Sequence, residues 1–254
     1  VDDYAKVGAI MGEALRLTAS ETLGEDFMVP ADAEMVIEGQ VLPNVKEVEG
    51  PFGEFTGYYG PQRLRNVIEV SAITHRSDAI FQHIFTGHRD TWVLGGIPKE
   101  GSLFNLIRGV VPTVKAVHFP MSGSCRFNCY ISIDKKVDGE TKQAALAALG
   151  GCDFVKHVVV VDADIDIYNE EEVMWAVATR VQADQDVDII KNVKGNTLDP
   201  SQTDNIMTAK MIIDATRPIQ RPFEARVEVP KTAMAKTRLE DFIPRDVVDR
   251  LPKG

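Results

Sequence analysis

The stretch Glu49-Gly50-Pro51-Phe52-Gly53-Glu54-Phe55-Thr56-Gly57-Tyr58-Tyr59-Gly60 constrains what this chain can fold into more than any other part of it. Two carboxylates stand five residues apart, with two glycines, a proline and a phenylalanine between them and three aromatic rings after them. A solvated loop has no need of that much aromatic surface. A core strand does not take two glutamates, because such charges are rarely buried unless paired. The segment reads as the wall of a pocket, with a partly exposed hairpin as the alternative. On a regular strand the odd spacing would send the carboxylates to opposite faces. The breaks at Gly50-Pro51 and Gly53 bend the chain so that both can turn toward one cavity, with Phe52, Phe55, Tyr58 and Tyr59 as desolvating walls. A carboxyl group in such surroundings has its neutral form favoured and can donate a proton near neutral pH. These residues support proton transfer on a flat or apolar substrate and do not choose the reaction.

The rest of the chain divides by pattern. Gly8 and Gly12 interrupt any helix in residues 1–27. Residues 33–41 read as a strand with Gly39 as a bulge, and Glu34 and Glu38 facing solvent. Residues 44–48 read as a loop. Residues 67–76 and 79–85 read as two strands joined by a turn at Arg76-Ser77-Asp78, an antiparallel hairpin that sets His75 opposite His83. Residues 28–86 are therefore β-rich. The character changes beyond residue 90. Gly95-Gly96-Ile97-Pro98 reads as a loop, and Ser102 as the N-cap of a following helix. Strands are expected at 114–119 and 127–133, and an alanine-rich helix at 140–149 stopped by Gly150-Gly151. Val158-Val159-Val160-Val161 is a continuous apolar run, as in a strand covered on both faces. Asn169 with Glu172 forms a capping box before a helix at 173–181. Alternating strands and helices signal an α/β layer fold. Residues 184–222 read as irregular structure with short strands, 217–238 as an extended arm, and 239–251 as a helical segment interrupted at Pro244.

Composition narrows the function classes. The chain has 254 residues and a formal net charge of −10, which argues against a nucleic-acid backbone as partner. No apolar run approaches the roughly 18–20 residues of a membrane span, and no signal segment opens the sequence. Three cysteines are too few for a disulfide scaffold and fit a reducing, cytoplasmic setting. Cys125 and Cys129 lack a second pair at zinc spacing. There is no phosphate-binding G-x-x-x-x-G-K-[ST] or G-x-G-x-x-G. Asp162-Ala163-Asp164-Ile165-Asp166 opens like a calcium loop but fails at Ile167 and Val173. The five histidines form no H-E-x-x-H, Ser122-Gly123-Ser124 is no nucleophile elbow, and no triad is readable. Val1 in place of an initiator methionine suggests a trimmed or fragmentary chain.

Several stretches together resemble one family. They are Val29-Pro30-Ala31-Asp32-Ala33-Glu34-Met35-Val36-Ile37-Glu38-Gly39, the Glu49–Tyr59 motif, Ile73-Thr74-His75-Arg76, Ala79-Ile80, Thr86-Gly87, the run from Val158 to Asp166, Val173 to Arg180, and Ile213-Asp214-Ala215-Thr216. In this order they resemble the C-terminal half of the UbiD-type prenylated-FMN-dependent reversible decarboxylases. The resemblance implies a mixed α/β fold: part of a split β-barrel flavin-binding domain at residues 1–95, an α/β oligomerisation domain at 96–216, and an arm with a C-terminal helix at 217–254. It implies prenylated FMN as electron sink, with a divalent metal (manganese) and potassium whose ligands fall mostly outside this chain. The metal glutamate of relatives would fall near Tyr4-Ala5-Lys6, and a phosphate-binding lysine near Gly150-Gly151, where this chain has no base. The substrate class implied is an aromatic or α,β-unsaturated carboxylic acid, which loses carbon dioxide. Glu54 takes the position of the proton donor and acceptor. Glu49 takes that of its partner in a Glu–Arg–Glu network, whose arginine belongs to a half not present here. Phe55 and Leu94 fall at substrate-lining positions. A homo-oligomer is implied, with a companion N-terminal fragment as a further partner. The alternatives are a non-catalytic oligomerisation or assembly module of such an enzyme, and a binder of ordinary FMN.

Overall fold

The computed structural model describes residues 2–202, 206–238, 241–248 and 250. Residues 1–216 form one compact unit and residues 217–254 a second.

The N-terminal part opens with helix α1 (Asp3–Met11), capped by the Asp2 carboxylate and closed by Gly12 at φ 78°. Gly12 supplies a left-handed C-cap and so ends the helix that the glycines were expected to prevent. A short antiparallel pair follows, β1 (Leu17–Ser20) and β2 (Gly24–Pro30). Next comes a long antiparallel ribbon, β3 (Met35–Glu49) with β4 (Arg63–His75). The bulge expected at Gly39 is present. A Cβ there would lie 2.5 Å from the Glu69 carbonyl, so only glycine fits. Residues 44–48, expected as a loop, continue β3 past a second irregularity in which Asn44 takes φ 61°.

Residues 79–85 are not a strand. The segment pairs with no strand among the described residues, and Ile80 and Phe81 stay exposed. The expected hairpin and its His75–His83 pairing are absent with it. Glu34 and Glu38 do not simply face water. The Glu38 carboxylate accepts from the Ser20 hydroxyl at 2.6 Å, the Thr22 hydroxyl, and the backbone N–H of Glu21 and Thr22. Glu34 accepts from the Ile80 N–H at 2.8 Å.

Helix α2 (Arg89–Val110) starts thirteen residues before Ser102 and runs through Pro98. Ser102 is no cap; its hydroxyl bonds the Pro98 carbonyl inside the helix. The rest follows the α/β pattern. β5 (Val114–His118), β6 (Asn128–Ile133), α3 (Glu140–Gly151), β7 (His157–Asp162), α4 (Glu170–Arg180), β8 (Val187–Lys194) and β9 (Met207–Ala215) follow in order. Among the described residues the sheet order is β5-β6-β7-β9-β8, with β6, β7 and β9 parallel and the two edges antiparallel.

Alternation along β7 explains the layers. Val158 and Val160 pack with Leu103 and Ile107 of α2 and Ala144 and Ala148 of α3. Val159 and Val161 pack with Val173 and Ala176 of α4. A strand covered on both faces needs an unbroken apolar run, which the four valines supply. Asn169 caps α4 by accepting from the Glu171 N–H. Glu172 turns instead to the Asp166 N–H at 3.0 Å, so the expected capping box is only half made. In the second unit, α5 (Lys231–Met234) and α6 (Arg245–Val248) are short helices. Most of 217–230 has no regular structure. Leu239, Glu240, Asp249 and residues beyond 250 of the expected terminal helix lie outside the described residues. No helix among the described residues is long and apolar enough to cross a membrane.

Candidate active site

Glu49 is the last residue of β3 and lies opposite Arg63 of β4. From there the chain folds back on itself. The Gly60 N–H bonds the Phe52 carbonyl, the Glu54 N–H bonds the Tyr58 carbonyl, and the Gly57 N–H bonds the Glu54 carbonyl, each at 2.9 Å. A Gly53–Tyr59 bridge and a Gln62 bond to the Gly50 carbonyl complete the loop. Two glycines are needed for it. Gly57 takes φ 81° at the turn, and Gly87 takes φ 72° packed on Gly57, where a Cβ would sit 2.9 Å from the Gly57 Cα. The Trp92 indole of α2 donates to the Phe55 carbonyl at 2.6 Å and ties the loop to the α/β layer.

This bend brings Glu49 and Glu54 into one cleft, with Phe52, Arg63, Arg65 and Leu198 among its lining. The Glu54 side chain lies over Gly60, where a Cβ would come within 3.0 Å of its Cγ. Arg65 Nε approaches Glu49 Oε2 at 3.3 Å. Arg63 donates to the Thr197 carbonyl at 3.2 Å, so the 195–200 loop closes one side of the cleft. The two arginines share strand parity in β4. That signal was open to sequence reading and was missed.

The aromatic walls differ from expectation. Phe52 lines the cleft, but Tyr58 and Tyr59 are 65% and 81% exposed. Phe55 points the other way and is only 6% exposed. Its ring packs on Phe127 and Phe154 at 5.5 and 5.6 Å, and under the Arg126 guanidinium at 4.6 Å. Leu94 is 62% exposed on α2 and is not among the residues lining the Glu49–Glu54 cleft. Sequence reading also missed a His118–Glu100 contact at 2.7 Å, in a second cleft beside Tyr168 and Cys125. The two residues are eighteen apart on different elements, and no local pattern marks them.

The cofactor groups divide on this geometry. Phe52, half exposed in the cleft lining, offers a face to a flat conjugated ring. Arg63 and Arg65 suit its anionic side. Among the described residues no group of three or more His, Cys, Asp or Glu could hold a metal ion, and the metal ligands are expected mostly outside this chain. Cys125 and Cys129 are free and buried. Burial pushes the Cys129 thiol far up, which suits a packing residue and not a thiolate ligand.

Residues 1–89 match the 3-octaprenyl-4-hydroxybenzoate carboxy-lyase Rift-related domain. Residues 92–215 match the C-terminal domain of the same carboxy-lyase. The chain belongs to the UbiD family. Among solved structures it is similar to the UbiD-class enzyme HmfF from Pelotomaculum thermopropionicum in complex with FMN. That match has TM-score 0.87 at 47% identity and covers 96% of this chain and 54% of that one. Among relatives it is 39% identical over 195 residues to anhydromevalonate phosphate decarboxylase of Methanocaldococcus jannaschii, covering 76% of this chain and 46% of that protein. It is 36% identical over 223 residues to phenolic acid decarboxylase of Sedimentibacter hydroxybenzoicus, covering 86% and 46%. The chain thus spans about half the length of the relatives it matches. Within the UbiD frame the mixed α/β architecture is the one expected from the sequence.

Proposed function

We propose that this UbiD-family chain forms the acid–base half of a reversible, non-oxidative decarboxylase of aromatic or α,β-unsaturated carboxylic acids. The observation that carries the reading is the single cleft holding Glu49, Glu54 and Arg65. On this reading residues 1–95 supply part of a split barrel, residues 96–216 an oligomerising α/β layer, and residues 217–254 an arm. The relatives with decarboxylase names support the reaction class, and the neighbours solved with FMN or prenylated FMN support a flavin.

Prenylated FMN, when bound, would supply the sink for the electron pair left when carbon dioxide departs. The chain's own residues handle the proton. Loss of carbon dioxide breaks a C–C bond and leaves its electron pair on the substrate carbon. Glu54, protonated, gives its proton to that carbon and becomes a carboxylate, which regains a proton from water before the next turnover. In the carboxylation direction the same carboxylate removes the proton. Glu49 and Arg65 hold the charge beside Glu54 fixed while it changes ionisation. Glu54 lies where the loop bends, and Gly60 leaves room for its carboxyl to move. Leu94, exposed on α2, belongs to the substrate side on this reading, while Phe55 backs the Glu54 turn from the side packed on Phe127 and Phe154.

A second observation bears on assembly. Along the β3–β4 ribbon the cross-strand pairs Ile37–Ile73, Val41–Ile68 and Val48–Leu64 are 57–63% exposed. A two-stranded ribbon is marginal alone, and a contiguous exposed apolar stripe marks a surface that another element covers. We take that cover to be a β-rich segment that completes the barrel, whether on a companion chain or elsewhere in the protein. The reading of this chain as an assembly module rests on the same stripe. Co-expression with the corresponding half of a UbiD relative, reconstitution with prenylated FMN, and an assay of carbon dioxide release test both. Release from an aromatic or unsaturated acid supports the enzyme. A stable flavin-loaded complex without release leaves only the module.

A further inference from the structure

The loop of residues 195–202 connects the α/β layer to the acid–base cleft. On the cleft side, Leu198 lines the space around Glu49 and Glu54, and the Thr197 carbonyl accepts from Arg63 of β4. The space left there is about 30 Å³, room for about one water. In so narrow a gap the position of the loop sets how much solvent reaches Glu54, which is itself half-buried.

Part of the loop is held by its own polar groups. The Asn196 side chain accepts from the Leu198 N–H, and the Asn196 carbonyl from the Asp199 N–H, each at 3.0 Å. Asp199 Oδ1 accepts from the Ser201 N–H and hydroxyl at 3.0 and 2.9 Å. None of these bonds explains why Asp199 is buried, with its side chain only 3% exposed. The explanation lies in Lys156. Asp199 Oδ2 is enclosed and meets no donor but the Lys156 ammonium at 2.8 Å, which is 14% exposed. Lys156 also donates to the Ser201 hydroxyl at 2.6 Å. Burial pushes the Asp199 carboxyl up, but Lys156 and the Ser201 donors outweigh it and hold the carboxyl below its usual range. Losing one partner of such a pair strands a buried charge, so the pair holds the loop in one place.

Lys156 is fixed in turn by the sheet. It precedes β7, its N–H bonds the Phe127 carbonyl at 2.8 Å, and its carbonyl accepts from the Met211 N–H of β9 at 2.7 Å. Its ammonium lies over the Phe127 ring at 5.7 Å, and that ring packs at 5.5 Å on Phe55, the residue after Glu54. One lysine therefore backs two walls of the cleft. It reaches the Glu54 turn through Phe127 and Phe55, and the Leu198 segment through Asp199.

Resting on the decarboxylase reading above, we propose that Lys156 and Asp199 are positioning residues for the proton-transfer site. Their pair latches the 195–202 loop so that Leu198 keeps water away from Glu54. Both act through Leu198 and not on the substrate itself.

The test is carboxyl labelling of the flavin-loaded full-length enzyme with a water-soluble carbodiimide and glycine ethyl ester, read by mass spectrometry without turnover. Exposed Asp184 is the internal reference. Asp199→Asn keeps an oxygen for the Ser201 N–H and removes the charge that Lys156 pairs with. It is expected to raise the labelling rate of Glu54 about tenfold by freeing the loop to open locally. Lys156→Gln should do the same, and Lys156→Arg should stay near the wild type. Asn196→Ala leaves the buried pair intact and frees only the Leu198 N–H. It should give a smaller rise, and it decides the matter if the charge variants do not fold. The control is Asp162→Asn, which breaks the buried Asp162–Arg180 pair at the other end of β7. That variant is expected to lower the melting temperature without changing Glu54 labelling. Labelling at the wild-type rate in folded Asp199→Asn, or in Asn196→Ala where the charge variants do not fold, overturns the proposal. So does an Asp162→Asn variant that raises Glu54 labelling as much as Asp199→Asn. Carbon dioxide release is read separately: faster labelling in the variants, with no release even from the wild type, leaves the latch standing and removes the decarboxylase reading.

Discussion

Arg65 Nε lies 3.3 Å from Glu49 Oε2, at the mouth of the cleft that also holds Glu54. The pair joins two strands in neighbouring register, since Glu49 sits opposite Arg63 and Glu47 opposite Arg65. Both side chains are about half exposed, so the pair adds little to stability, below about 1 kcal/mol. On the proposed acid–base reading its value is to hold Glu49 in the cleft beside Glu54.

Arg65→Gln is therefore expected to leave the melting temperature nearly unchanged and to lower kcat about tenfold, with Arg65→Lys restoring part of the loss. Steady-state kinetics beside thermal melts of the reconstituted enzyme check this. An equal fall in stability and rate would make Arg65 structural only.

Gly87 fixes the loop from behind. At φ 72° with a Cβ that would lie 2.9 Å from the Gly57 Cα and 3.2 Å from the Glu54 carbonyl, any side chain must push the Glu54 turn away. Gly87→Ala is expected to cost about 1–2 kcal/mol in backbone strain. Because a misplacement of about 1 Å can cost about 100-fold in rate, kcat should fall further than stability does. Melts and kinetics on the same sample separate the two.

Glu38 gives a pH dependence with a definite sign. The Ser20 and Thr22 hydroxyls, with the Glu21 and Thr22 N–H groups, hold its carboxyl down to about 2 from the usual 4.5. A depressed folded-state pKa contributes stability that is present above pH 4.5 and lost as pH falls toward 2. Amide hydrogen exchange across residues 17–24 is expected to speed up as pH falls through that window, after correction for intrinsic rates. Glu38→Gln should show the faster exchange already at neutral pH. Equal protection in both proteins would remove the link between β1 and β3.

What the sequence made legible was the part whose pattern is local. The four valines of β7 and the Asn169 cap of α4 are read from a few adjacent residues and stand where they were expected. Helix α2 was hidden because Gly95, Gly96 and Pro98 argue locally against helix. The two glycines pack against Arg126 and Cys125, thirty residues away. The false strand at 79–85 has the composition of a strand and, among the described residues, no partner. Glu49 and Glu54 were found as a pair because their spacing and the bend between them lie within one short segment. Arg126 was not, since it reaches Phe55 through tertiary packing, and Arg65 was missed although its strand parity with Arg63 was there to read.

The central claim is that Glu54 carries the proton. Its most direct test is isotope exchange at the substrate carbon in deuterated buffer, followed by NMR on the reconstituted enzyme and its Glu54→Gln variant with flavin content matched. The account expects deuterium to enter the product carbon in the wild type, and exchange in the variant to fall to background while flavin stays bound. Undiminished exchange in the variant would contradict it.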